Sequence, residues 1–182
     1  MHQDTERFLE KCLTQELVKG SRVLNVGCKF DTWTNKFCER LGVLAYDGLD
    51  IEDGQDVTIV ADICSYPQYL PYDITICTNT LEHIEDWRNA VHAMKVLTKV
   101  GGHLIISVPS SEGPGQIKGY HGYPSDYWRF SGEDLAAMVL DMEIILYDHT
   151  HFNMATSSIC AKRLSGIKYC YNFEPQIVER RK

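Results

Sequence analysis

The chain has 182 residues, of which 25 are acidic and 18 basic, for a formal net charge of −7. That length suits one domain with one sizeable core, and the acidic balance disfavours broad nucleic-acid binding, because like charges repel a phosphate backbone. No apolar run approaches the roughly 18 residues that span a bilayer, and the polar start Met1-His2-Gln3-Asp4 shows no signal peptide. The seven cysteines are scattered without a Cys-x-x-C pair, which excludes zinc-ribbon and thioredoxin-type spacings. Thiols set singly in apolar runs fit a reducing, cytoplasmic compartment without disulfides.

Phe8, Leu9, Cys12, Leu13 and Leu17 recur at helical spacing, which predicts one amphipathic helix over 4–19 stopped by Gly20. Arg22 to Val26 reads as a strand and Thr32 to Leu41 as a helix closed by Gly42. Val43–Leu49, Val57–Ala61 and Asp73–Thr78 read as three further strands, the last rich in β-branched residues. Trp87, Ala90, Val91, Met94 and Leu97 mark one face of a helix that ends at Gly101-Gly102, and His103–Val108 follows as a strand. Pro109 to Pro124 is rich in glycine and proline and lacks periodicity, so it is expected to be a long functional loop. Ser131-Gly132-Glu133-Asp134 opens a short helix, and Glu143–Tyr147 and Ser158–Lys162 form two late strands with no helix between them. Alternating strands and helices predict a mainly parallel sheet covered on both faces, and the late pair predicts an antiparallel hairpin at one edge. The basic end Arg180-Arg181-Lys182 reads as a solvated tail.

Two of these segments carry chemistry together. Val23-Leu24-Asn25-Val26-Gly27-Cys28 is an apolar run ending in a glycine turn, and Gly48-Leu49-Asp50-Ile51 is a second run ending in a carboxylate. Strand, glycine turn, helix, strand, carboxylate is the order in which an open α/β sheet builds a nucleoside crevice. The glycine admits backbone close to the ligand, and the carboxylate accepts from ribose hydroxyls.

The same residues resemble the small Rossmann-like S-adenosylmethionine-dependent methyltransferases, in particular the type 11 group, from about Arg22 to Lys162. Residues 23–28 resemble the first cofactor motif, and Tyr46-Asp47-Gly48-Leu49-Asp50-Ile51 the ribose-binding strand end. Val60-Ala61-Asp62-Ile63 resembles the adenine-contacting segment, and Tyr72–Cys77 followed by Leu81-Glu82-His83-Ile84 the fourth strand and its Leu-Glu-His signature. Leu97–Gly102 followed by Leu104–Pro109 resembles the fifth-strand motif, and His121–Phe130 a segment seen in a subset of the family. The chain departs from the family's acid-x-Gly-x-Gly-x-Gly, with Asn25 for the acid and Lys29 and Asp31 for the later glycines.

The resemblance implies a Rossmann-like methyltransferase sandwich with a seven-stranded, mostly parallel sheet. With the length and periodicity above, the expectation is one domain over 1–182, with an N-terminal helix (1–20) that closes over the cofactor, a core (22–162) and a C-terminal tail (163–182). The cofactor implied is S-adenosyl-L-methionine, with Asn25, Val26, Gly27, Cys28, Lys29, Asp31, Asp50, Ile51, Asp62, Ile63, Asn79 and His83 as the binding set. Asp50 is expected on the ribose hydroxyls, with Asp47 as its competitor, since a carboxylate offers two acceptor oxygens. Asp62 either accepts from the adenine amine or caps a helix. Asp31 is expected to supply the charge that Asn25 lacks, and Lys29 either meets the cofactor carboxylate or points to solvent. His83 titrates near neutrality and either acts as a base or packs beside the cofactor. His121 is the candidate general base, within an aromatic wall of Tyr120, Tyr123, Tyr127 and Trp128, with Asp126 and Arg129 orienting polar groups. His121, His149 and His151 match no common ligand spacing, so no metal is expected. The function implied is methyl transfer to O, N or C of a small or sugar-like acceptor. Its rival is a non-catalytic protein of the same fold acting as a binding partner or activator. A nicotinamide-dependent oxidoreductase ranks below both, because the spacing after Gly27 fails at both later glycines.

Overall fold

The computed structural model describes residues 3–67, 70–112, 126–150, 155–168, 171 and 173–178. The predicted N-terminal helix is two helices, α1 (Gln3–Cys12) and α2 (Gln15–Val18). The break falls at Thr14, whose extended backbone and side-chain oxygen cap α2 by accepting from the Leu17 N–H at 3.2 Å. A residue that caps cannot also continue the preceding helix, and periodicity alone does not reveal this. After it come β1 (Arg22–Val26), α3 (Trp33–Arg40), β2 (Ala45–Asp50), β3 (Ile59–Val60) and β4 (Tyr72–Thr78). A 3-10 turn (Leu81–His83) leads into α4 (Trp87–Leu97), then β5 (Thr98–Pro109), β6 (Trp128–Arg129) and α5 (Gly132–Met138). The late strands are β7 (Glu143–Thr150) and β8 (Thr156–Lys162), and β9 is Gln176–Ile177.

Seven strands form one sheet in the order β3-β2-β1-β4-β5-β8-β7. The first five pair in parallel, whereas β8 runs antiparallel to both β5 and β7, so the expected edge hairpin is present. Because successive side chains in a strand alternate faces, the sheet carries two apolar layers. Ile74, Ile76 and Ile105 pack with Phe8, Leu9 and Cys38 of α1 and α3. Cys77, Leu104 and Ile106 pack with Trp87, Val91 and Met94 of α4 and Leu135 of α5. Each fully buried aliphatic side chain of this kind contributes on the order of 2 kcal/mol.

Helix α1 does not close over the cofactor position. Its apolar stripe is used up against Ile105 and Cys160 of the sheet, and none of residues 3–19 lines the cleft described below. Part of the expected C-terminal tail is also built into the fold. β9 pairs antiparallel with β6, Arg88 donates to the carbonyls of Tyr171 (3.3 Å) and Phe173 (2.6 Å), and the Val178 N–H reaches the Tyr127 carbonyl. Arg180, Arg181 and Lys182 lie outside the described residues.

Candidate functional site: the cleft at the carboxyl ends of β1, β2 and β4

Chain order reverses between β1 and β4, which are neighbours in the sheet but connect outward in opposite directions. In open α/β sheets this switch point opens a crevice beyond the carboxyl ends of the strands. A cavity of about 200 Å³ sits there. Val26 and Gly27 line it from β1, Leu49 and Asp50 from β2, Asp62 and Ile63 after β3, and Asn79 and Thr80 after β4.

Gly27 sits at φ +76°, in the left-handed region. A Cβ there would lie 2.1 Å from both the hydroxyl and the methyl of Thr80. The turn after β1 is thus locked against the end of β4 by a contact only glycine permits. Asn79 is a non-glycine residue in the left-handed region, at φ 49°, held by its N–H to the Ser107 carbonyl at 2.8 Å. Backbone in that region is costly for a residue with a Cβ and recurs at ligand sites. Its side-chain oxygen Oδ1 is buried and has no hydrogen-bond partner among the described residues, an orphan acceptor in a residue that lines the cleft.

Asp50 ends β2 with both carboxylate oxygens oriented by backbone. Lys29 N–H donates to Oδ2 at 2.9 Å and Glu52 N–H to Oδ1 at 3.1 Å. Each oxygen keeps a further acceptor direction, which is what a pair of adjacent hydroxyls requires. Asp47 is elsewhere: it accepts from Tyr72 Oη at 2.9 Å and pairs with Arg22, outside the cleft. Asp62 accepts the Cys64 N–H at 2.8 Å through Oδ1 and lines the cleft; a turn follows it and not a helix, so it caps no helix.

Three residues of the sequence-derived set stand behind the lining. Asn25 is buried and donates through Nδ2 to Asp31 and to Tyr46, both at 2.9 Å. Asp31 Oδ1 accepts from Trp33 N–H and Thr34 N–H, and Oδ2 from Thr34 Oγ1 at 2.6 Å and from Asn25. Its charge is therefore directed at the first amides of α3, where a carboxylate is favourable. Cys28 is buried with its thiol against the Asp56 carbonyl, and burial pushes its pKa up to about 12. Lys29, Ile51 and His83 do line the cleft. Sequence reasoning missed Phe30 and Glu52, which share the lining, because neither belongs to an apolar run or a recognisable spacing.

His83 lies beside a fully buried acid. Glu82 Oε1 is 3.7 Å from His83 Nε2, and neither oxygen of Glu82 has a hydrogen-bond partner among the described residues. Burial pushes the Glu82 carboxyl up to about 8, against the opposing pull of its own backbone N–H and of Arg129. Arg129 and Asp126 are themselves buried and joined by two contacts, at 2.5 and 2.8 Å. Trp128 donates its indole N–H to the Ile84 carbonyl at 2.9 Å, and Tyr127 N–H donates to the Glu82 carbonyl at 2.8 Å. Segment 126–130 therefore buttresses the Leu-Glu-His turn. His121, Tyr120, Tyr123 and His151 lie outside the described residues, and His149 Nδ1 contacts Ser157 Oγ at 3.1 Å. Among the described residues no group of three His, Cys, Asp or Glu is placed to hold a metal ion, and no helix is long and apolar enough to cross a membrane.

Residues 1–164 match the model of a methyltransferase domain. The chain belongs to the methyltransferase-domain family. A curated relative of this methyltransferase domain is the ubiquinone biosynthesis O-methyltransferase of Photorhabdus laumondii, 32% identical over 106 residues. That match covers 48% of this chain and 42% of the relative, so the chain spans less than half of the relative's length. Among solved structures, the 1,6-didemethyltoxoflavin-N1-methyltransferase of Burkholderia thailandensis, with bound S-adenosylhomocysteine, superposes with a TM-score of 0.71 at 15% identity, covering 87% of this chain and 78% of that one. The magnesium protoporphyrin IX methyltransferase of Synechocystis, solved with S-adenosylmethionine, gives a TM-score of 0.64 at 16% identity over 88% and 78% of the two chains. At these identities the superpositions establish the fold, which is the Rossmann-like methyltransferase sandwich.

Proposed function

We propose that the chain is an S-adenosylmethionine-dependent methyltransferase acting on a small, sugar-like or comparably compact acceptor. The observation that carries this is Asp50, a carboxylate at the end of β2 with both oxygens pre-oriented by two backbone N–H groups at the rim of the switch-point cleft. The orphaned acceptor Asn79 Oδ1 and the glycine-only turn at Gly27 fit the same ligand, a polar nucleoside lying against bare backbone.

When bound, the cofactor supplies a methyl carbon on a sulfonium, a good leaving group that needs no covalent help from the protein. The chain's task is then alignment. Asp50 would hold the ribose hydroxyls, Asp62 and Ile63 would contact the adenine, and Gly27 and Asn79 would bind the amino-acid end; all five line the cleft, and so does His83. For an acceptor that must lose a proton, His121 is the proposed base, on its residue type and its place in the chain.

Isothermal calorimetry with S-adenosylmethionine and S-adenosylhomocysteine tests the reading. Binding of both, lost in Asp50→Ala while the fold stays intact by circular dichroism, is the expected result. Folded wild-type protein that gives no heat with either ligand would reject it.

A further inference from the structure

Lys29 stands where the resembling family has glycine, and the structure gives it a use. Its backbone N–H is one of the two donors that orient Asp50, and the Glu52 N–H is the other. The side chains of these same two residues form an ion pair, Lys29 Nζ with Glu52 Oε2, so the loop after β1 is tied to the loop after β2 beside the ribose carboxylate. Both residues line the cleft. The loops are in contact at backbone level too. A Cβ at Gly54 would lie 3.1 Å from the Lys29 carbonyl oxygen and Cγ, close enough that one loop would have to shift by a few tenths of an ångström. Asp56 extends the seam, accepting from Asn35 Nδ2 at 3.0 Å and lying against the Cys28 thiol through its carbonyl.

We propose that Lys29 and Glu52 are positioning residues for the adenosyl ligand: their ion pair clasps the two loops and thereby fixes the pair of backbone donors that aim Asp50 at the ribose. This rests on the reading of the cleft as an adenosyl site. At Lys29, where the resembling family has a glycine, a side-chain contact ties the loop down. Pre-arranging the acceptor lowers the ordering that the ligand must otherwise impose. The pair is partly solvated, with Lys29 and Glu52 side chains 25% and 44% exposed, so its effect is modest and salt-sensitive.

The competing use of Lys29 is direct pairing with the carboxylate of the ligand's amino-acid end. Two probes separate the uses: S-adenosylhomocysteine, which has that carboxylate, and methylthioadenosine, which lacks it but keeps the ribose. Under the proposal, Lys29→Met and Glu52→Gln each weaken both probes by a similar factor, roughly two- to fivefold. The double variant is no weaker than either single one, and the charge-reversed pair Lys29→Glu with Glu52→Lys recovers most of the loss. Salt at about 1 M brings the wild type to the level of the variants and leaves the variants little changed. The proposal is overturned if Lys29→Met weakens S-adenosylhomocysteine alone, if Glu52→Gln tightens it, or if neither variant changes either probe. Wild-type protein that binds neither probe would instead remove the adenosyl reading itself, so the two failures are distinguishable.

Discussion

Around Asp50 the polar groups that face the cleft are oriented by backbone. Two N–H groups aim one carboxylate, and a glycine turn lets the end of β1 pack against Thr80. Around Arg129, at the same edge of the sheet, side chains are turned inward on each other. Asp126 neutralises Arg129, and Trp128 and Tyr127 hold the Leu-Glu-His turn. The first region keeps acceptors open, whereas the second spends its polar groups on structure. Residue types alone, which suggested substrate contacts at 126–129, do not distinguish the two. What distinguishes them is whether each polar atom already has a partner.

If that contrast holds, substitutions near Arg129 should move stability and leave cofactor affinity alone, and those near Asp50 should do the reverse. The largest effect is expected from Asp126→Ala. Removing one partner of a buried pair leaves an uncompensated charge and costs about 3–5 kcal/mol of unfolding free energy, read by urea titration, with S-adenosylhomocysteine affinity of the folded fraction unchanged. Asp50→Ala should leave the urea midpoint within experimental error and weaken S-adenosylhomocysteine by roughly 30-fold or more, the equivalent of losing charge-assisted hydrogen bonds to two hydroxyls. A fall in stability without a fall in affinity there would erase the contrast.

Glu82 tests the boundary between the regions. Its folded pKa of about 8 lies above its ordinary value of 4.5, so the folded chain keeps a proton that the unfolded chain releases. The charged and titratable groups around it are His83, Cys77, Asp126 and Arg129. Its contribution is therefore fully present below the ordinary value and is lost as pH rises through the folded one. Glu82→Gln should flatten this decline and gain on the order of 1 kcal/mol at pH 8, measured by urea unfolding at several pH values. An unaltered pH dependence would place an ionised carboxylate there. The smallest effect is expected from Trp128→Phe, which deletes the indole donor to Ile84 and should cost about 1 kcal/mol. If cofactor affinity fell as well, segment 126–130 would belong with the cleft.

Most of the sheet was legible because its strands are apolar runs that must be buried on both faces, as with Ile74, Ile76, Ile105 and Ile106. The small β6–β9 pair was not legible. Trp128–Arg129 and Gln176–Ile177 are two-residue strands, too short for any period, and they pair across nearly fifty residues. At the site, Gly27 and Asp50 were legible because strand ends and turns fix where backbone and carboxylate must sit. Asp31 was misleading for a local reason: a carboxylate two and three residues before free amides is captured by them before any ligand can be. The Lys29–Glu52 clasp left no sequence signal, since its partners meet only through the register of β1 on β2.

The placement of Tyr171 and of residues 173–178 also bears on how the chain is made. Trp87 is fully buried, with Phe173 and Tyr171 rings 4.9 and 5.7 Å from its own. During translation every strand of the seven-stranded sheet leaves the ribosome before those two rings do. The face of Trp87 that those rings cover is therefore the last part of its packing to emerge, after the Phe130 ring that packs on it at 5.6 Å.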